Sequence, residues 1–303
     1  MQKTGKRDGN DNSSRHPAGA HWILQLLLLL IFCISAGFLY YHMVAIPKEN
    51  RELAETLKED FPGEQLPEDP SKEEQPAGEK NTMQPLVDLA ALQDQYPDIR
   101  GWLTIPDTGI DYPVLQGSAD DPEYYLHRNY KGEQDINGSL FLQWNCDVRE
   151  GENLIIYGHN MGVNNTDRFS NLQKYRDADY YTAHPYLQLD TLYKSEIYKI
   201  VAVYAVTSRE SDGDVFYFNQ YINLDDATEQ TFLDEVAKRA FYTTGDYAYP
   251  TERLLTLSTC TYQMDDARMV ILARPLRDGE TTAADEVHIN SDPLLPARWP
   301  AGK

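Results

Sequence analysis

The chain has 303 residues, enough for one domain of ordinary size with appendages or for two small domains. Hydrophobic residues make up 41% of it and charged residues 25%, which predicts a globular core and excludes global disorder. The formal net charge of −21 would repel the phosphate backbone of nucleic acids, and no basic stripe in the sequence offsets it. We therefore expect no nucleic-acid partner.

An apolar run near the N-terminus predicts a membrane anchor. Residues 1–21 are polar with a basic excess, whereas residues 22–46 are almost wholly apolar. A spanning helix needs roughly 20 apolar residues, so this run is predicted to be a transmembrane helix. Residues 47–80 then carry 5 Lys/Arg against 11 Asp/Glu. The positive-inside rule therefore places residues 1–21 in the cytoplasm and everything after Ile46 outside the cell.

The apolar run is compatible with two other interpretations. A cleaved signal peptide is the first, since Ser35-Ala36-Gly37 offers small residues to a peptidase. The run continues well past this tripeptide, which favours an uncleaved anchor. A lipoprotein anchor at Cys33 is disfavoured because the bulky Ile31 and Phe32 precede that cysteine.

Two polar segments flank the part of the chain that can fold. Residues 47–82 are rich in Glu, Lys, Pro and Gln and cannot bury enough apolar surface to fold alone, so they are predicted to form an extracellular stalk. Helix within Glu49–Asp60 is compatible with this. Residues 278–303 are polar and Pro-rich and are predicted to be a disordered tail. Residues 83–277 remain as a single catalytic or binding domain.

Within this domain, short apolar or alternating runs are separated by turn residues, as is typical of antiparallel strands. Eight runs have this pattern: Gly101–Ile105, Tyr112–Leu115, Ser139–Trp144, Asn153–Tyr157, Leu187–Leu189, Ile197–Val206, Leu254–Ser258 and Met269–Ala273. They predict a mainly β domain, either a barrel or a sandwich. Two helices interrupt the pattern: a short N-terminal one between Pro85 and Pro97, and a longer one over Thr228–Phe241 with Asp225 or Asp226 as its cap.

Of the three cysteines, only Cys260 stands in a chemically suggestive setting. An alternating run predicts a strand that ends at this thiol, and Arg268 follows eight residues later at the start of the next run. A hairpin would bring the guanidinium back to Cys260, where it could favour a thiolate and hold a carbonyl oxygen as it gains charge. The alternative is a buried cysteine and a surface arginine. Cys33 lies in the apolar run, and Cys146 is expected to be a small buried hydrophobe, with a Cys146–Cys260 disulfide as the alternative.

A nucleophilic cysteine needs a proton partner that titrates near neutral pH, usually a histidine. His159 stands apart because it follows the hydrophobic run Leu154–Tyr157 in a Gly-flanked loop. The other six lie in polar surroundings, in the N-terminal segment or in the tail: His16, His21, His42, His127, His184 and His288. His159 is therefore the candidate acid/base, with a simple turn residue as the alternative.

Together these residues resemble the signature of sortases, specifically of class B. The resemblance is carried by Thr256-Leu257-Ser258-Thr259-Cys260 with Arg268, and by Tyr157-Gly158-His159-Asn160-Met161 upstream. It extends through four earlier segments: Asp98–Pro106, Ile110–Gln116, Tyr124–Leu126 and Gly138–Leu142. The helix before the Cys260 strand also resembles the helical insertion typical of that class.

The resemblance implies a closed β-barrel of about eight strands and an active site of Cys260, His159 and Arg268. It implies a cysteine transpeptidase of the Gram-positive cell surface, which cleaves a C-terminal sorting motif of secreted proteins through a thioester on Cys260. The acyl group would pass to an amine of a peptidoglycan precursor or of a pilin. His159 would protonate the leaving amine, Arg268 would hold the oxyanion or the substrate backbone, and Ser258 and Tyr157 would line the groove. No cofactor or metal is implied.

Two other functions stay open on the sequence. A cell-wall cysteine endopeptidase would use the same nucleophile and base but would transfer the acyl group to water. A non-catalytic surface-binding module would not require Cys260, His159 and Arg268 to meet in space. The acidity leaves calcium open, although no EF-hand-like spacing supports it.

Overall fold

The computed structural model describes residues 19–63, 85–162, 165–245, 247–261, 264 and 266–300. The chain divides into two compact units, the first ending at Lys48 and the second beginning at Glu49. Helix α1 spans Gly19–Tyr40 and is followed by a π-helical turn at Tyr41–Ala45. Within α1, Trp22–Tyr40 is long and apolar enough to cross a membrane by length and composition, a criterion that a signal sequence near the N-terminus also meets.

The second unit is built on one sheet, with ten strands in the described part of the chain. They are β1 Ile99–Ile105, β2 Ile110–Gln116, β3 Leu140–Leu142, β4 Asn153–Tyr157, β5 Tyr186–Thr191, β6 Ser195–Thr207, β7 Ala240–Thr244, β8 Leu254–Cys260, β9 Ala267–Pro275 and β10 Val287–Ile289. The strand order is β10-β7-β6-β5-β1-β2-β3-β4-β8-β9, and β9 also pairs with β6. This last pairing closes eight strands into a ring, so the predicted closed barrel is confirmed, while β7 and β10 extend from β6 outside it.

The pairing around β8 brings the candidate site residues to one rim of the barrel. β8 runs parallel to β4 on one side and antiparallel to β9 on the other. The three strands are held by a core in which Ile155, Leu257 and Ile271 are fully buried. Tyr157 at the end of β4 pairs with Ser258, and Cys260 at the end of β8 pairs with Arg268 near the start of β9. Neighbouring strands lie about 4.8 Å apart, so these residues are neighbours from strand to strand.

Four further α-helices belong to the described chain: α2 Ile46–Asp60, α3 Leu89–Gln95, α4 Ala178–Ala183 and α5 Asp226–Arg239. The cap predicted for α5 is present, since the Asp225 side chain accepts a hydrogen bond from the backbone N–H of Thr228. The helix ends at Arg239, and Phe241, predicted to be helical, belongs to β7 instead. Pairing of β7 with β6 overrides the helical spacing of the sequence there.

Part of the predicted stalk is instead a helix packed on the barrel. In α2, Ala54 and Leu57 are 7% and 2% exposed. Arg51 pairs with Asp167 and Lys58 with Asp111, so the polar face of the helix is also held. Residues 49–60 have too few apolar side chains to form a core of their own. They are ordered because the barrel supplies the apolar surface on which this helix packs. The structure thus differs from a stalk over residues 49–60, and residues 64–84 lie outside the described residues.

The residues after Arg277, predicted to be disordered, are ordered as far as Pro300. Strand β10 pairs with β7, and Glu280 and Asp285 form ion pairs with Arg274 and Lys199. The Arg274 side chain is fully buried and that of Lys199 is 2% exposed. These two cations face each other across β6 and β9. Two carboxylates of the tail therefore neutralise adjacent buried cations of the barrel, which is why a polar, Pro-rich segment is ordered here.

We expect Glu280→Gln to lower the free energy of unfolding by about 2–4 kcal/mol, because it removes the carboxylate that faces the buried Arg274 guanidinium. Burial opposes ionisation of Glu280, but hydrogen bonds from the Arg274 side chain and the Arg277 backbone outweigh it and lower its pKa to about 2. A depressed carboxyl pKa adds stability that is complete above the ordinary value of 4.5 and is lost as the pH falls from there towards 2.

Urea unfolding across this acidic range would measure the effect. The matched control is Glu286→Gln, which neutralises an exposed carboxylate of the same tail. Equal stability of the two variants at neutral pH would contradict the prediction.

Candidate active site

Cys260 is the last residue of β8, and its thiol is exposed at the barrel rim. In the β8–β9 hairpin it pairs directly with Arg268, and the Arg268 Nη1 lies 3.7 Å from the Cys260 Sγ. The hairpin expected from the spacing therefore forms. A guanidinium at this distance favours negative charge on the sulfur or on an oxygen bound next to it.

The other two cysteines do not compete for this role. All three thiols are free, so Cys146 and Cys260 do not form a disulfide. Cys146 is buried, and burial raises the pKa of its thiol to about 11. A thiol of that pKa is almost entirely protonated at neutral pH and is a poor nucleophile.

Two side-chain amides hold the main chain at Cys260. Asn160 Nδ2 and Gln173 Nε2 donate hydrogen bonds to the Cys260 carbonyl oxygen at 3.0 and 3.1 Å. Asn160 belongs to the His159 loop, whereas Gln173 lies in a 3₁₀ helix at Ser170–Arg176. Sequence reasoning missed Gln173, because nothing local to residue 173 indicates a contact with a strand end 87 residues away.

His159 reaches the same rim because it follows β4, which runs parallel to β8. Its Nε2 lies 2.7 Å from the carbonyl oxygen of Leu126. A carbonyl can only accept, so Nε2 carries a proton and Nδ1 is the nitrogen available for proton exchange. Burial lowers the pKa of His159 below the ordinary value of 6.5, partly opposed by the hydrogen bond to Leu126. The ring of His127, which sequence reasoning set aside, lies 5.6 Å from the His159 ring.

We expect the His159 imidazole of the free protein to be neutral at neutral pH, with its proton on Nε2. Burial disfavours the imidazolium, and the Leu126 carbonyl selects this tautomer. ¹⁵N NMR from acidic to neutral pH would measure both properties, with a His159→Asn variant to assign the signals. A titration midpoint at or above 6.5, or a proton on Nδ1, would contradict the prediction.

Cys260, His159 and Arg268 line one groove, and Tyr157 is part of its floor. The remaining wall comes from parts of residues 122–126 and 141–144 and from residues 206–208 and 216–219. Its cavity volume of about 460 Å³ lies within the about 300–1,000 Å³ that is usual for ligand pockets. The wall is mostly apolar and aromatic, so its chemistry suits the side chains of a short peptide segment.

The two expected groove residues are placed differently. The Tyr157 hydroxyl donates a hydrogen bond to Gln143 Oε1 at 2.6 Å, and burial raises the pKa of Tyr157 although Arg268 opposes the rise. Tyr157 therefore stays protonated and faces the groove. Ser258 is fully buried in β8, and its hydroxyl has no hydrogen-bond partner in the described part of the chain. Ser258 lies two residues before Cys260, so the two side chains point to the same face of β8. Ser258 is further from the rim of the barrel, so it lies in the barrel wall and not on the groove surface.

Among the described residues, no group of three or more His, Cys, Asp or Glu side chains is arranged to hold a metal ion.

Comparison with known proteins adds evidence that is independent of this geometry. Residues 103–276 match the sortase domain family. Sortase B of Listeria monocytogenes is 37% identical over 187 residues, which cover 61% of this chain and 72% of that protein. The structure of Bacillus anthracis sortase B in complex with AAEK2 superposes with a TM-score of 0.59 and 29% identity, covering 76% of this chain and 97% of that one.

A Staphylococcus aureus sortase B–substrate complex gives a TM-score of 0.53 and 26% identity, covering 63% of this chain and 85% of that one. The family match contains β2–β9 and all three of Cys260, His159 and Arg268. With the closed barrel and the groove at its rim, the match shows that this chain belongs to the sortase family of cysteine transpeptidases, with class B sortases as its relatives.

Proposed function

We propose that this sortase cleaves a C-terminal sorting motif of secreted proteins through a thioester on Cys260. The acyl group then passes to an amine of a peptidoglycan precursor or of a pilin. The observation that carries the proposal is that the Cys260 thiol, the His159 imidazole and the Arg268 guanidinium line one groove, with Arg268 Nη1 3.7 Å from the sulfur.

In the first half-reaction, Nδ1 of the neutral His159 takes the proton of the Cys260 thiol, and the thiolate attacks the carbonyl carbon of a Thr in the motif. A C–S bond forms and the carbonyl oxygen becomes an oxyanion, which the Arg268 guanidinium stabilises. The imidazolium then gives its proton to the amide nitrogen as the C–N bond breaks. The leaving amine therefore departs with the proton that Cys260 gave up, and His159 is neutral again.

In the second half-reaction, an acceptor amine enters the groove and attacks the thioester carbonyl. His159 takes a proton from the attacking nitrogen, a new C–N bond forms and the Cys260 thiolate leaves. Return of the proton to sulfur restores the starting state. Water in place of the amine would give hydrolysis by the same residues, so the acceptor alone separates a transpeptidase from an endopeptidase.

Mass spectrometry of the intact protein after incubation with a library of sorting-motif peptides would test the proposal. We expect an adduct on Cys260 with the mass of an acylated peptide fragment. Its transfer to peptide amines or lysine side chains supports transpeptidation. Release to water alone, with every amine offered, would favour the endopeptidase, and the absence of any adduct would favour a binding module.

We infer that Trp22–Tyr40 anchors the chain in the cell membrane, with residues 1–21 in the cytoplasm and the second unit outside. The support is its hydropathy and length, together with the change from a basic to an acidic flank. A protease added to intact protoplasts should then remove the domain after Ile46 and spare residues 1–21. A protected domain would contradict this orientation, and a soluble form starting near Phe38 would indicate a cleaved signal peptide.

A further inference from the structure

Residues 297–299 of the C-terminal tail make a set of specific contacts with the catalytic domain, and we name these three residues the C-terminal clasp. Arg298 Nε and Nη2 donate to the two carboxylate oxygens of Asp212 at 2.6 and 2.9 Å. The Ala297 amide donates to the Asp212 carbonyl oxygen at 2.6 Å. A bidentate pair combined with a main-chain hydrogen bond fixes both the position and the orientation of the residue it holds.

Asp212 lies at the start of the segment that forms one wall of the groove. Residues 208–225 connect β6 to α5 with only short 3₁₀ turns, and residues 216–219 within them line the groove. The Asp212 side chain is 2% exposed. Hydrogen bonds from Arg298 lower the pKa of Asp212, with smaller contributions from the Arg209 charge and from a hydrogen bond with Thr207, which itself lines the groove. The clasp thus holds a buried carboxylate four residues before the groove wall.

The same clasp also contacts the 3₁₀ helix that carries Gln173. Trp299 is 8% exposed, and its ring lies 5.7 Å from the Arg176 guanidinium and 5.8 Å from the Phe241 ring. Arg176 ends the 3₁₀ helix that carries Gln173, whose side chain donates to the Cys260 carbonyl oxygen. The clasp therefore braces two segments that flank Cys260, although it is itself not part of the groove lining.

Two other ion pairs hold the wall segment at points the clasp does not reach. Arg209 pairs with Asp266 in the β8–β9 turn, and Arg239 pairs with Asp214. The side-chain hydrogen bonds described for the Asp212 carboxylate come from Arg298 and Thr207, and the Arg209 charge adds a Coulombic attraction. Without Arg298, a buried carboxylate would lose both guanidinium hydrogen bonds and keep only the Coulombic attraction of Arg209, and the chain around it would gain conformations that take it out of the observed position.

We propose that the C-terminal clasp positions the groove wall at residues 216–219 for the substrate peptide, with Arg298 as a positioning residue that acts through Asp212. The step to a substrate peptide rests on the proposed function. A long connection must be ordered before it can form a binding surface, and a wall that is already ordered spares the substrate that entropic cost. The clasp should therefore act on peptide binding, whereas the chemical step depends on Cys260, His159 and Arg268.

Three variants of the full-length protein would test this inference. Arg298→Ala should raise KM for a cleaved sorting-motif peptide about three- to tenfold and change kcat by less than about twofold. Arg298→Lys should give a smaller rise, because an ammonium keeps the charge but not the two-pronged geometry. Lys238→Ala is the matched control, since Lys238 is also a partly exposed, ion-paired cation but lies on α5 and pairs with Glu235. It should leave both constants unchanged.

Amide hydrogen exchange provides a readout that needs no substrate. In Arg298→Ala, residues 212–219 should exchange faster while the amides of β8 and β9 keep their protection, which separates a local effect from general destabilisation. Arg298→Ala introduced into an Asp212→Asn background should cause little further rise in KM, since the two residues act as one unit.

If Arg298→Ala shows the same KM and the same exchange rates as the Lys238→Ala control, the inference is overturned. If residues 212–219 exchange faster in Arg298→Ala but its KM is unchanged, the clasp holds the wall segment without positioning it for the substrate, and the proposal is also overturned. A chain that forms no acyl-enzyme with any peptide would instead defeat the proposed function, and the exchange data would still decide whether the clasp holds the wall segment.

Discussion

Cys260→Ala should abolish acyl-enzyme formation completely while the fold stays intact. The substitution removes a sulfur that is exposed at the barrel rim, and it leaves the main-chain carbonyl that Asn160 and Gln173 bind. Cys146 cannot take over, because burial raises the pKa of its thiol to about 11 and keeps it protonated. Cys33 lies on α1 in the first unit and is not part of the catalytic domain. Intact-mass spectrometry after incubation with substrate peptides, together with circular dichroism, would measure both parts of the prediction.

Cys146→Ala is the matched control for this variant. It removes a buried sulfur that plays no part in the proposed chemistry, so it should lose some stability but keep a good part of the activity. Peptide cleavage by Cys260→Ala at the wild-type rate would refute the nucleophile assignment. Complete inactivity of Cys146→Ala without unfolding would point to a second essential thiol.

Arg268→Ala should lower kcat by about 10²–10³-fold, the usual cost of removing a donor to a developing oxyanion. The side chain lies in the groove with Nη1 3.7 Å from the Cys260 sulfur, so it can reach an oxygen on the carbon bonded to that sulfur. Arg268→Lys should recover only part of the loss, because an ammonium lacks the planar arrangement of donors. The fold should change little, since the main-chain pairing of residue 268 with Val206 and Cys260 does not involve its side chain.

Steady-state kinetics with circular dichroism on both variants would decide the role of Arg268. Arg149→Ala provides the control, because the Arg149 side chain is 64% exposed and outside the groove. Near-normal turnover of Arg268→Ala would leave this residue structural and would reduce the proposed site to Cys260 and His159.

All eight predicted strands occur, with ends that differ by a few residues. Their apolar periodicity comes from burial inside the barrel, so it is visible in the chain itself. Strands β7 and β10 were missed for a different reason. β7 follows α5 without a break and continues its helical spacing, and the three residues of β10 form a strand only because β7 lies beside them. Their state is set by partners that are distant in sequence.

The sequence by itself predicted a mainly β domain, the resemblance to sortases and the pairing of Cys260 with Arg268. That pairing is local, since a hairpin of known spacing brings the two residues together. Only the tertiary structure decided how His159 reaches Cys260, because parallel pairing of β4 and β8 joins segments about a hundred residues apart. It also decided that Ser258 is buried and that α2 and the tail pack on the domain. The composition of a segment shows only how much apolar surface that segment could bury by itself. Leu57, Glu280 and Arg298 are instead held by apolar surface and charged groups that the folded domain supplies.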